Sequence, residues 1–424
     1  MKILHLTSHF GGGVGRALLG VAENARYDEE HCFIGLETPE KTQFINAIRE
    51  QDCEVIIAPT HAEIIRQISN CDILQLEWWC HPAMLECLGK LPEISVRLLV
   101  WCHVSGLYGQ IIPLQLLKSA SRFLLTSACS WQTSQIQQLS PAERQRIEVV
   151  HSNGGLESWS QSVACCENAE MVVGYLGSLN FSKLHPDYVQ FLASVSIHGF
   201  KVSLIGDETN KNILQQQAED LGYPGLLDFI GYTEGVESEL SKINVLAYLL
   251  NPTHYGTNEN ALLEAMAMGI VPVVLNNPAE CAIVEHGITG LVVSSIEEFS
   301  QAIKWLDQNP KQRTQLGLQA SLSIKKRYTR DSMTKAFTAS YKTVMELDKH
   351  VLNFIDIFGQ RPADWFLSCQ QDQSIFIKDG HVKLPSNPFL RHQLIEVNKG
   401  SVQHFQRYFP ADLKLTQWAR QLDT

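Results

Sequence analysis

Two successive series of short apolar runs, separated by stretches of helical length, constrain the fold of this chain more than any other feature. Strands that alternate with helices form parallel sheets covered on both faces. The sequence therefore predicts an α/β chain with two doubly wound, Rossmann-like domains, whose sheets turn their carboxyl ends toward a ligand-binding cleft. The runs lie at 2–6, 53–58, 73–76, 98–102, 123–126 and 147–151, and then at 171–177, 201–205, 227–230, 245–249, 271–275 and 291–293.

Changes of composition along the 424 residues predict where the domains end, and a chain of this length exceeds what one hydrophobic core organises. Residues 161–169 are polar and contain few large apolar side chains, as expected of a linker. From about residue 350 the strand–helix alternation stops and aromatic pieces such as 405–409 follow. We therefore predict domains over 1–165 and 166–345, and a packed C-terminal extension over 346–424 whose role the sequence does not indicate.

The charge of the chain disfavours nucleic acid as a partner. The formal net charge is -11 and the pI is near 5.8, whereas nucleic-acid affinity depends on clustered Lys and Arg. The short basic run Lys325-Lys326-Arg327, followed by Arg330, is typical of a solvated helix face. The alternative is a weak peripheral contact with anionic lipid headgroups.

Localisation is expected to be cytoplasmic. No apolar stretch is long enough to cross a membrane, and the first residues resemble a strand rather than a secretion signal. Seven of the eleven cysteines lie between Cys32 and Cys129 without metal-finger spacing, so we expect reduced, mostly buried thiols. The spacing of His, Cys and acidic residues predicts no metal site.

The most informative segment runs from 254 to 269 and is followed by Val271-Pro272-Val273-Val274. A loop rich in Gly, Thr and Asn opens a helix at Asn260, and Gly269 ends it. The start of such a helix presents unpaired backbone N–H groups, which suit a diphosphate or sugar hydroxyls. Glu264, in the early turns, could accept hydrogen bonds from a ribose diol, or could be a surface residue that complements the helix dipole.

The stretch 262–269, followed by Pro272-Val273-Val274, resembles the nucleotide-binding signature of the retaining family 4 glycosyltransferases, also called glycosyl transferases group 1, which have the GT-B fold. The resemblance covers roughly the first three quarters of the chain. It implies that Glu264 binds the ribose of a nucleotide-sugar donor. It also implies that the neighbouring residues Gly256, Thr257, Asn258 and Asn260 bind the donor.

One position departs from this family. Members usually carry a second glutamate eight positions before the residue that matches Glu264, and that position here is Gly256. Glu259, in the same loop, is the acidic candidate to replace it, and we predict a catalytic role for Glu259.

A second element of the predicted site is a strand at 173–176 that turns through Gly177 into a polar loop ending at Lys183. The Lys183 ammonium could neutralise a departing diphosphate, or could be an ordinary exposed lysine. In the family an Arg and a Lys share this work. Lys183 matches the Lys, whereas Ser178 occupies the Arg position and is predicted to bind the donor. The loops at 206–208 and 231–233 match those that hold the nucleobase.

Gly11-Gly12-Gly13 follows the first strand and would let backbone N–H groups approach a ligand closely. Arg16 stands where a dinucleotide-binding motif has its third glycine, so a nicotinamide dehydrogenase is disfavoured. The resemblance implies that Gly12 and Gly13 line the donor diphosphate and the acceptor pocket. Arg16 either contacts donor or acceptor or has a structural role.

His103 closes the strand at 98–102 and should stand at the carboxyl edge of the first sheet. The resemblance implies that this histidine contacts the transferred sugar near the reacting centre. Asn153-Gly154-Gly155 predicts a turn before the linker. The pair Trp78-Trp79 could stack on an acceptor, but burial in the core is favoured.

These features together predict a metal-independent glycosyltransferase of polysaccharide or glycoconjugate biosynthesis. It would transfer a hexose-type sugar from a nucleotide diphosphate sugar, its co-substrate, to a saccharide, lipid-linked or small-molecule acceptor, with retention at the anomeric carbon and no other cofactor. A nucleotide-sugar epimerase is one alternative. The other is a degenerate GT-B binding protein, which the losses at Gly256 and Ser178 favour.

Overall fold

The computed structural model describes residues 1–39, 41–152, 155–156, 159–160, 169–377 and 380–422. The chain divides into two compact units. Unit 1 comprises Met1–Gly154, Tyr255–Asn258 and Arg330–Thr424, and unit 2 comprises Gly155–His254 and Glu259–Thr329. Most of the predicted linker, 161–168, and the turn residues Asn153 and Gly154 lie outside the described residues.

Twelve of the described strands follow the apolar runs of the sequence closely, whereas those at Glu30–Gly35, Ile94–Val96 and His350–Leu352 were not predicted. In chain order the described strands are β1 Lys2–Thr7, β2 Glu30–Gly35, β3 Glu54–Ile57, β4 Ile73–Trp78, β5 Ile94–Val96, β6 Leu98–Cys102, β7 Arg122–Leu125, β8 Ile147–Val149, β9 Val173–Leu176, β10 Val202–Ile205, β11 Leu227–Gly231, β12 Val245–Tyr248, β13 Val271–Leu275, β14 Leu291–Val293 and β15 His350–Leu352.

The helices occupy the intervening stretches and most of the C-terminal region. They are α1 Gly12–Glu23, α2 Gln43–Arg49, α3 His61–Asn70, α4 Pro82–Gly89, α5 Leu114–Ser119, α6 Ser134–Gln137, α7 Pro141–Arg144, α8 Tyr188–Ala193, α9 Lys211–Asp220, α10 Val236–Leu240, α11 Asn260–Ala267, α12 Pro278–Cys281, α13 Ile296–Gln308, α14 Pro310–Arg327, α15 Arg330–Met345, α16 Phe354–Phe358, α17 Pro362–Ser368, α18 Pro388–Ile395, α19 Val402–Tyr408 and α20 Leu413–Leu422.

Both predicted sheets are present and parallel. In the described part of unit 1, seven strands are ordered β3-β2-β1-β4-β6-β7-β8, and in that of unit 2 six strands are ordered β11-β10-β9-β12-β13-β14. The central strands β1, β4 and β6 are buried over nearly their whole length, as expected of a sheet covered on both faces. In unit 2, Gly206 is required for a close backbone approach, because a Cβ there would lie 1.9 Å from the Gly177 carbonyl oxygen.

The C-terminal region is part of unit 1. Helix α15, which we had assigned to the second domain, belongs to this unit, and its Tyr341 hydroxyl donates to Gln75 Oε1 of β4 over 2.8 Å. Strand β15 pairs antiparallel with β5. Helices α16, α17 and α19 pack on α4, and Phe358 stacks on Trp78 with ring centroids 5.4 Å apart. The predicted extension thus shares its hydrophobic core with the first sheet.

Trp78 and Trp79 are both buried, with Trp79 only 6% exposed, which confirms the favoured interpretation of this pair. The nine cysteines of the described ranges are free thiols, and seven of these are buried. Cys165 and Cys166 lie outside those ranges. Among the helices described here, none combines the length and apolar character that a membrane crossing requires.

Candidate functional site

Lys183 and Glu259 form an ion pair in unit 2. The carboxyl ends of parallel strands meet at one edge of a sheet, so the loops after β9 and β12 are neighbours there. Lys183 follows β9 and Glu259 follows β12. Lys183 Nζ lies 2.9 Å from Glu259 Oε2, with the lysine side chain 23% exposed and the glutamate side chain 2% exposed. The ammonium group therefore reaches the surface, whereas the carboxylate that supports it does not.

Buried partners hold Glu259 in its ionised form. The Tyr248 hydroxyl donates to Glu259 Oε2 over 2.6 Å, and His254 Nδ1 lies 3.8 Å from Oε1. Burial alone would raise the pKa of Glu259, but the charges of Lys183 and His254 outweigh it and the pKa lies below its usual range. The catalytic role that we predicted for Glu259 stays a prediction, and the geometry shows a side chain engaged in positioning Lys183.

His254 connects this pair to a second carboxylate. His254 Nε2 lies 3.1 Å from Glu280 Oε1, and both side chains are buried. Burial would lower the pKa of His254, but the negative charge of Glu280 raises it above the usual value. Lys183, His254, Glu259 and Glu280 thus form one network in unit 2, in which the Lys183 side chain is the most exposed.

Glu264 lies where the pattern predicted, in the second turn of α11. The helix begins at Asn260 and is followed by Gly269 with a φ of 81°, the left-handed conformation that glycine adopts readily. Glu264 is 9% exposed. The helix start and the position of Glu264 in it are confirmed, and the contact of Glu264 with a ribose stays a prediction.

Ser178 faces a carboxylate. A hydrogen bond joins its side chain to Asp207, and the Leu179 N–H donates to Asp207 Oδ1 over 3.4 Å. Burial would raise the pKa of Asp207, but the bonds from Ser178 and Thr209 outweigh it and lower the pKa. The position that carries an arginine in the family therefore ties the loop after β9 to the loop after β10.

Three further predicted donor-binding residues, Gly256, Thr257 and Asn258, belong to unit 1. Asn258 Nδ2 donates to both the carbonyl oxygen and Oγ of Ser152 over 2.8 Å, and Thr257 Oγ1 lies 3.2 Å from Thr126 Oγ1. These two side chains are therefore held by the loops that follow β7 and β8.

The glycine loop of unit 1 leads from β1 into the first turn of α1. Helix α1 begins at Gly12, whose φ is 58°, and both Gly12 and Gly13 are exposed. Position 15 requires a glycine, because a Cβ there would lie 2.0 Å from the Phe10 carbonyl oxygen. Arg16 follows in the first turns of α1 and is half-buried.

His103 is held by a carboxylate that sequence reasoning missed. His103 Nε2 lies 2.8 Å from Glu77 Oε2, and His5 Nδ1 lies 3.2 Å from Glu77 Oε1. Burial would raise the pKa of Glu77, but the hydrogen bonds from His103 and His5 outweigh it and lower the pKa. An ionised carboxylate only accepts hydrogen bonds, so both ring nitrogens that face Glu77 carry protons.

The same network extends through the first sheet. Burial lowers the pKa of His5 to about 4, so this ring is neutral near pH 7 and its single proton lies on Nδ1. His5 Nε2 therefore accepts from His31 Nδ1 over 2.8 Å. The sequence contained a signal for this network. Gln75 and Glu77 are two residues apart, so they lie on the same face of a central strand whose other residues are apolar.

The basic run also makes specific contacts within unit 2. Lys325 Nζ donates to the Trp159 carbonyl over 2.8 Å, and Arg327 donates to the carbonyls of Ala282 and Ile283. Lys326 is exposed.

Residues 167–322, which include Lys183, Glu259 and Glu264, match the family model described as Glycosyl transferases group 1. The lipopolysaccharide core biosynthesis glycosyltransferase LpsE of Rhizobium meliloti is 24% identical over 147 residues, which are 34% of this chain and 42% of that relative. The chain thus matches less than half the length of this curated relative.

Two solved structures resemble this chain over most of its length. Anabaena HepE in complex with UDP-glucose is 17% identical over 81% of this chain and 100% of that chain, with a TM-score of 0.63. The lipopolysaccharide outer core galactosyltransferase WaaB, in its apo form, is 16% identical over 81% of this chain and 99% of that chain, with a TM-score of 0.58. The fold is GT-B, as the sequence predicted.

Proposed function

We propose that this chain, whose residues 167–322 match the Glycosyl transferases group 1 model, transfers a hexose-type sugar from a nucleoside diphosphate sugar to a hydroxyl of an acceptor, with retention at the anomeric carbon. One observation carries the proposal. In unit 2 the partly exposed Lys183 ammonium and the start of α11, with Glu264 in its second turn, follow neighbouring parallel strands and fall within the matched segment.

Each of these groups has a role in donor binding and departure. Glu264 accepts hydrogen bonds from the ribose hydroxyls, and the backbone N–H groups at the start of α11 favour the negative diphosphate. The bond between the anomeric carbon and the diphosphate oxygen breaks, and its electron pair stays on that oxygen. Lys183 stabilises the charge that develops there, as a preorganised cation does without a metal ion.

Retention follows when the acceptor attacks the face that the diphosphate leaves. The acceptor oxygen forms the new bond to the anomeric carbon, and its proton passes to the departing diphosphate oxygen. The resemblance to the family implies that His103 of unit 1, which Glu77 holds, contacts the transferred sugar, and that Gly12 and Gly13 line the donor diphosphate. This step needs no covalent intermediate with the protein.

The names of the relatives suggest the first substrates to test. LpsE is named for lipopolysaccharide core biosynthesis, and HepE was solved with UDP-glucose. We therefore propose a saccharide of a cell-surface glycoconjugate as acceptor and UDP-glucose as the first donor to try.

A catalytically degenerate binding protein is the second candidate. Ser178 pairs with Asp207 instead of offering a cation to phosphate, and Gly256 carries no carboxylate. This candidate predicts nucleotide binding without turnover, whatever the acceptor.

A calorimetric screen of UDP, GDP and ADP and of their sugars tests the proposal, with intact protein, Glu264→Ala and Lys183→Ala compared. We expect one nucleotide to bind with a Kd in roughly the micromolar range, and each substitution to weaken it by about tenfold or more. If no nucleotide binds, or if neither substitution matters, the donor site is wrong. Nucleotide release in the presence of saccharide acceptors then separates the transferase from the degenerate protein, and isomerisation of the donor alone would identify an epimerase.

A further inference from the structure

Three histidines and a lysine of unit 1 come together around Trp79, and we call His9, His81, His404 and Lys399 the histidine cluster. The ring centroids of His9 and His81 are 5.8 Å apart, and those of His81 and His404 are 4.8 Å apart. His9 follows β1 and His81 follows β4, whereas His404 and Lys399 come from the C-terminal extension. The cluster therefore brings the extension to the carboxyl edge of the first sheet.

The histidine cluster adjoins His103. The Trp79 ring lies 5.1 Å from the His9 ring, 5.9 Å from the His81 ring and 6.3 Å from the His103 ring. One buried indole therefore separates the cluster from the histidine expected to contact the transferred sugar.

The backbone fixes the proton position on two of the three rings, those of His81 and His404. In each ring Nδ1 faces a backbone N–H donor. The donor to His9 is Gly11 at 3.0 Å, the donor to His81 is Ala83 at 3.2 Å, and the donor to His404 is Gly400 at 3.0 Å. A neutral imidazole whose Nδ1 accepts must carry its proton on Nε2. The rings of His81 and His404 thus present Nε2–H donors. His9 lies between two donors, the Gly11 N–H at Nδ1 and the Lys399 ammonium 2.8 Å from Nε2, so these contacts do not fix the position of its proton.

This proton arrangement disfavours a metal ion, although His9, Glu37 and His81 each offer a ligand atom and these atoms all lie within 4.8 Å of one another. A histidine that binds metal through Nε2 carries its proton on Nδ1 and donates it to an acceptor. Here that proton would point at a backbone N–H in both His9 and His81. The ammonium of Lys399 beside His9 opposes a cation further.

The charges around the cluster leave the rings neutral. Burial and the nearby Lys399 lower the pKa of His9 to about 4, and burial, Lys399 and Arg407 lower the pKa of His404 to about 4. Burial and the neighbouring His404 and His9 lower the pKa of His81 to about 2. The nearby carboxylate is Glu37, whose Oε2 lies 3.5 Å from His81 Nε2.

We propose that the histidine cluster binds an oxyanion, a phosphate or a carboxylate, carried by the acceptor sugar. Lys399 supplies the positive charge, and the Nε2–H group of His404 supplies a hydrogen-bond donor. Charge-assisted bonds of this kind are roughly twice as strong as neutral ones. The inference rests on the proposed function, and it gives the extension a role in choosing the acceptor.

The histidine side chains themselves report on this site. Full-length protein is titrated with inorganic phosphate while the ring nitrogens of its histidines are followed by nitrogen-15 NMR. We expect the signals of His9, His81 and His404 to shift with a Kd of about 1 mM or tighter. We also expect Lys183→Gln, which alters unit 2, to leave these shifts unchanged. A titration that moves none of the three rings overturns the proposal.

Variants then locate the binding. Lys399→Gln should weaken phosphate binding by roughly tenfold, and His404→Gln should weaken it by roughly threefold. Lys383 is an exposed lysine of the same extension, so Lys383→Gln is the matched control and should leave phosphate binding unchanged. Glucose 6-phosphate and glucuronate should bind more tightly than glucose in the wild type but not in Lys399→Gln, and the two anions distinguish phosphate from carboxylate. The oxyanion site is wrong if Lys399→Gln still prefers the anionic sugars to glucose. It is also wrong if one zinc ion binds per chain and His81→Gln abolishes zinc binding.

Nucleoside diphosphate binding separates this inference from the proposed function. Lys399→Gln should bind the nucleotide as the wild type does, because Lys183 and Glu264 of unit 2 are unchanged in this variant. If the nucleotide binds but Lys399→Gln binds phosphate as tightly as the wild type does, the inference alone fails. If no nucleotide binds but Lys399→Gln still abolishes phosphate binding, the oxyanion site stands and the transferase proposal fails.

Discussion

Lys183 Nζ lies 2.9 Å from Glu259 Oε2, so the cation expected to meet the donor diphosphate is already half of an ion pair. An amide at 259 can still accept the lysine and tyrosine hydrogen bonds but no longer cancels the lysine charge. We therefore expect Glu259→Gln to bind the nucleoside diphosphate as tightly as the wild type or more tightly. Lys183→Gln should bind it about tenfold more weakly, because a hydrogen bond to a charged group contributes roughly 1.5–3 kcal/mol. Calorimetry measures both.

The unphosphorylated nucleoside is the control for this comparison, and neither variant should change its affinity. If Glu259→Gln weakens binding of the nucleoside diphosphate as much as Lys183→Gln does, the carboxylate is needed at the site. The catalytic role first predicted for Glu259 then regains support.

Glu264 is tested by removing either partner of its proposed contact with ribose. We expect the 2′,3′-dideoxy nucleoside diphosphate to bind the wild type about tenfold more weakly than the ribonucleotide, because a buried acceptor loses its donors. In Glu264→Gln the two nucleotides should bind almost equally. Glu297→Gln, at an exposed position of unit 2, is the matched control and should keep the wild-type preference. If Glu264→Gln loses affinity equally for the ribonucleotide and the dideoxy nucleotide, Glu264 stabilises the fold and does not bind the ribose.

The Glu77 carboxylate should fix the tautomer of His103. Because His103 Nε2 faces Glu77 Oε2 at 2.8 Å, we expect nitrogen-15 NMR of the wild type to show the proton on Nε2. In Glu77→Gln the Nδ1–H form should become populated, whereas Glu77→Asp should restore part of the wild-type signal. Nucleotide affinity should stay within about twofold, because the donor-binding residues of unit 2 are unchanged. A His103 ring with its proton on Nδ1 in the wild type would contradict the network.

The sequence predicted those parts of the molecule that depend on short stretches of chain. The apolar runs predicted every described strand of both parallel sheets except β2, and the pattern around Glu264 predicted the start and end of α11. A helix start is visible locally, because the loop residues, the apolar periodicity and the terminating Gly269 are all neighbours in the chain.

Contacts between distant segments could not be derived in this way. His81 and His404 are brought together by the fold of the extension, and no spacing in the sequence relates them. Helix α15 has an ordinary amphipathic pattern, which does not indicate which sheet it covers. The Lys183–Glu259 pair was missed for the same reason, although both residues had been singled out separately.

Buried neutral histidines should make the protein sensitive to mild acid. The folded pKa of His5 is about 4, whereas an unfolded chain titrates near 6.5, so below pH 6.5 the unfolded state binds more protons and stability falls as the pH falls toward 4. Each such histidine contributes a slope of up to about 1.4 kcal/mol per pH unit. Urea unfolding at several pH values between 6.5 and 5, followed by tryptophan fluorescence, measures this slope. Six of the eight tryptophans belong to unit 1, which also contains His5.

The comparison needs variants in which a titrating ring is removed. His404→Gln, whose histidine also has a folded pKa of about 4, should show a shallower slope than the wild type. The exposed His198 gives the matched control His198→Gln, which should keep the wild-type slope. A wild-type stability that is flat between pH 6.5 and 5 would contradict the prediction.

Phe366 should stabilise all of unit 1, because the extension shares the core of the first sheet. This ring is 1% exposed, and its centroid lies 4.8 Å from that of Phe376 and 5.3 Å from that of Phe405. Phe366→Ala should lower the free energy of unfolding by about 3–5 kcal/mol. Leu413→Ala, at a position that is 76% exposed, should change it by about 0.5 kcal/mol or less. Urea unfolding followed by tryptophan fluorescence compares them. An unchanged midpoint for Phe366→Ala would mean that the extension does not support the sheet, and the histidine cluster would then lack a rigid frame.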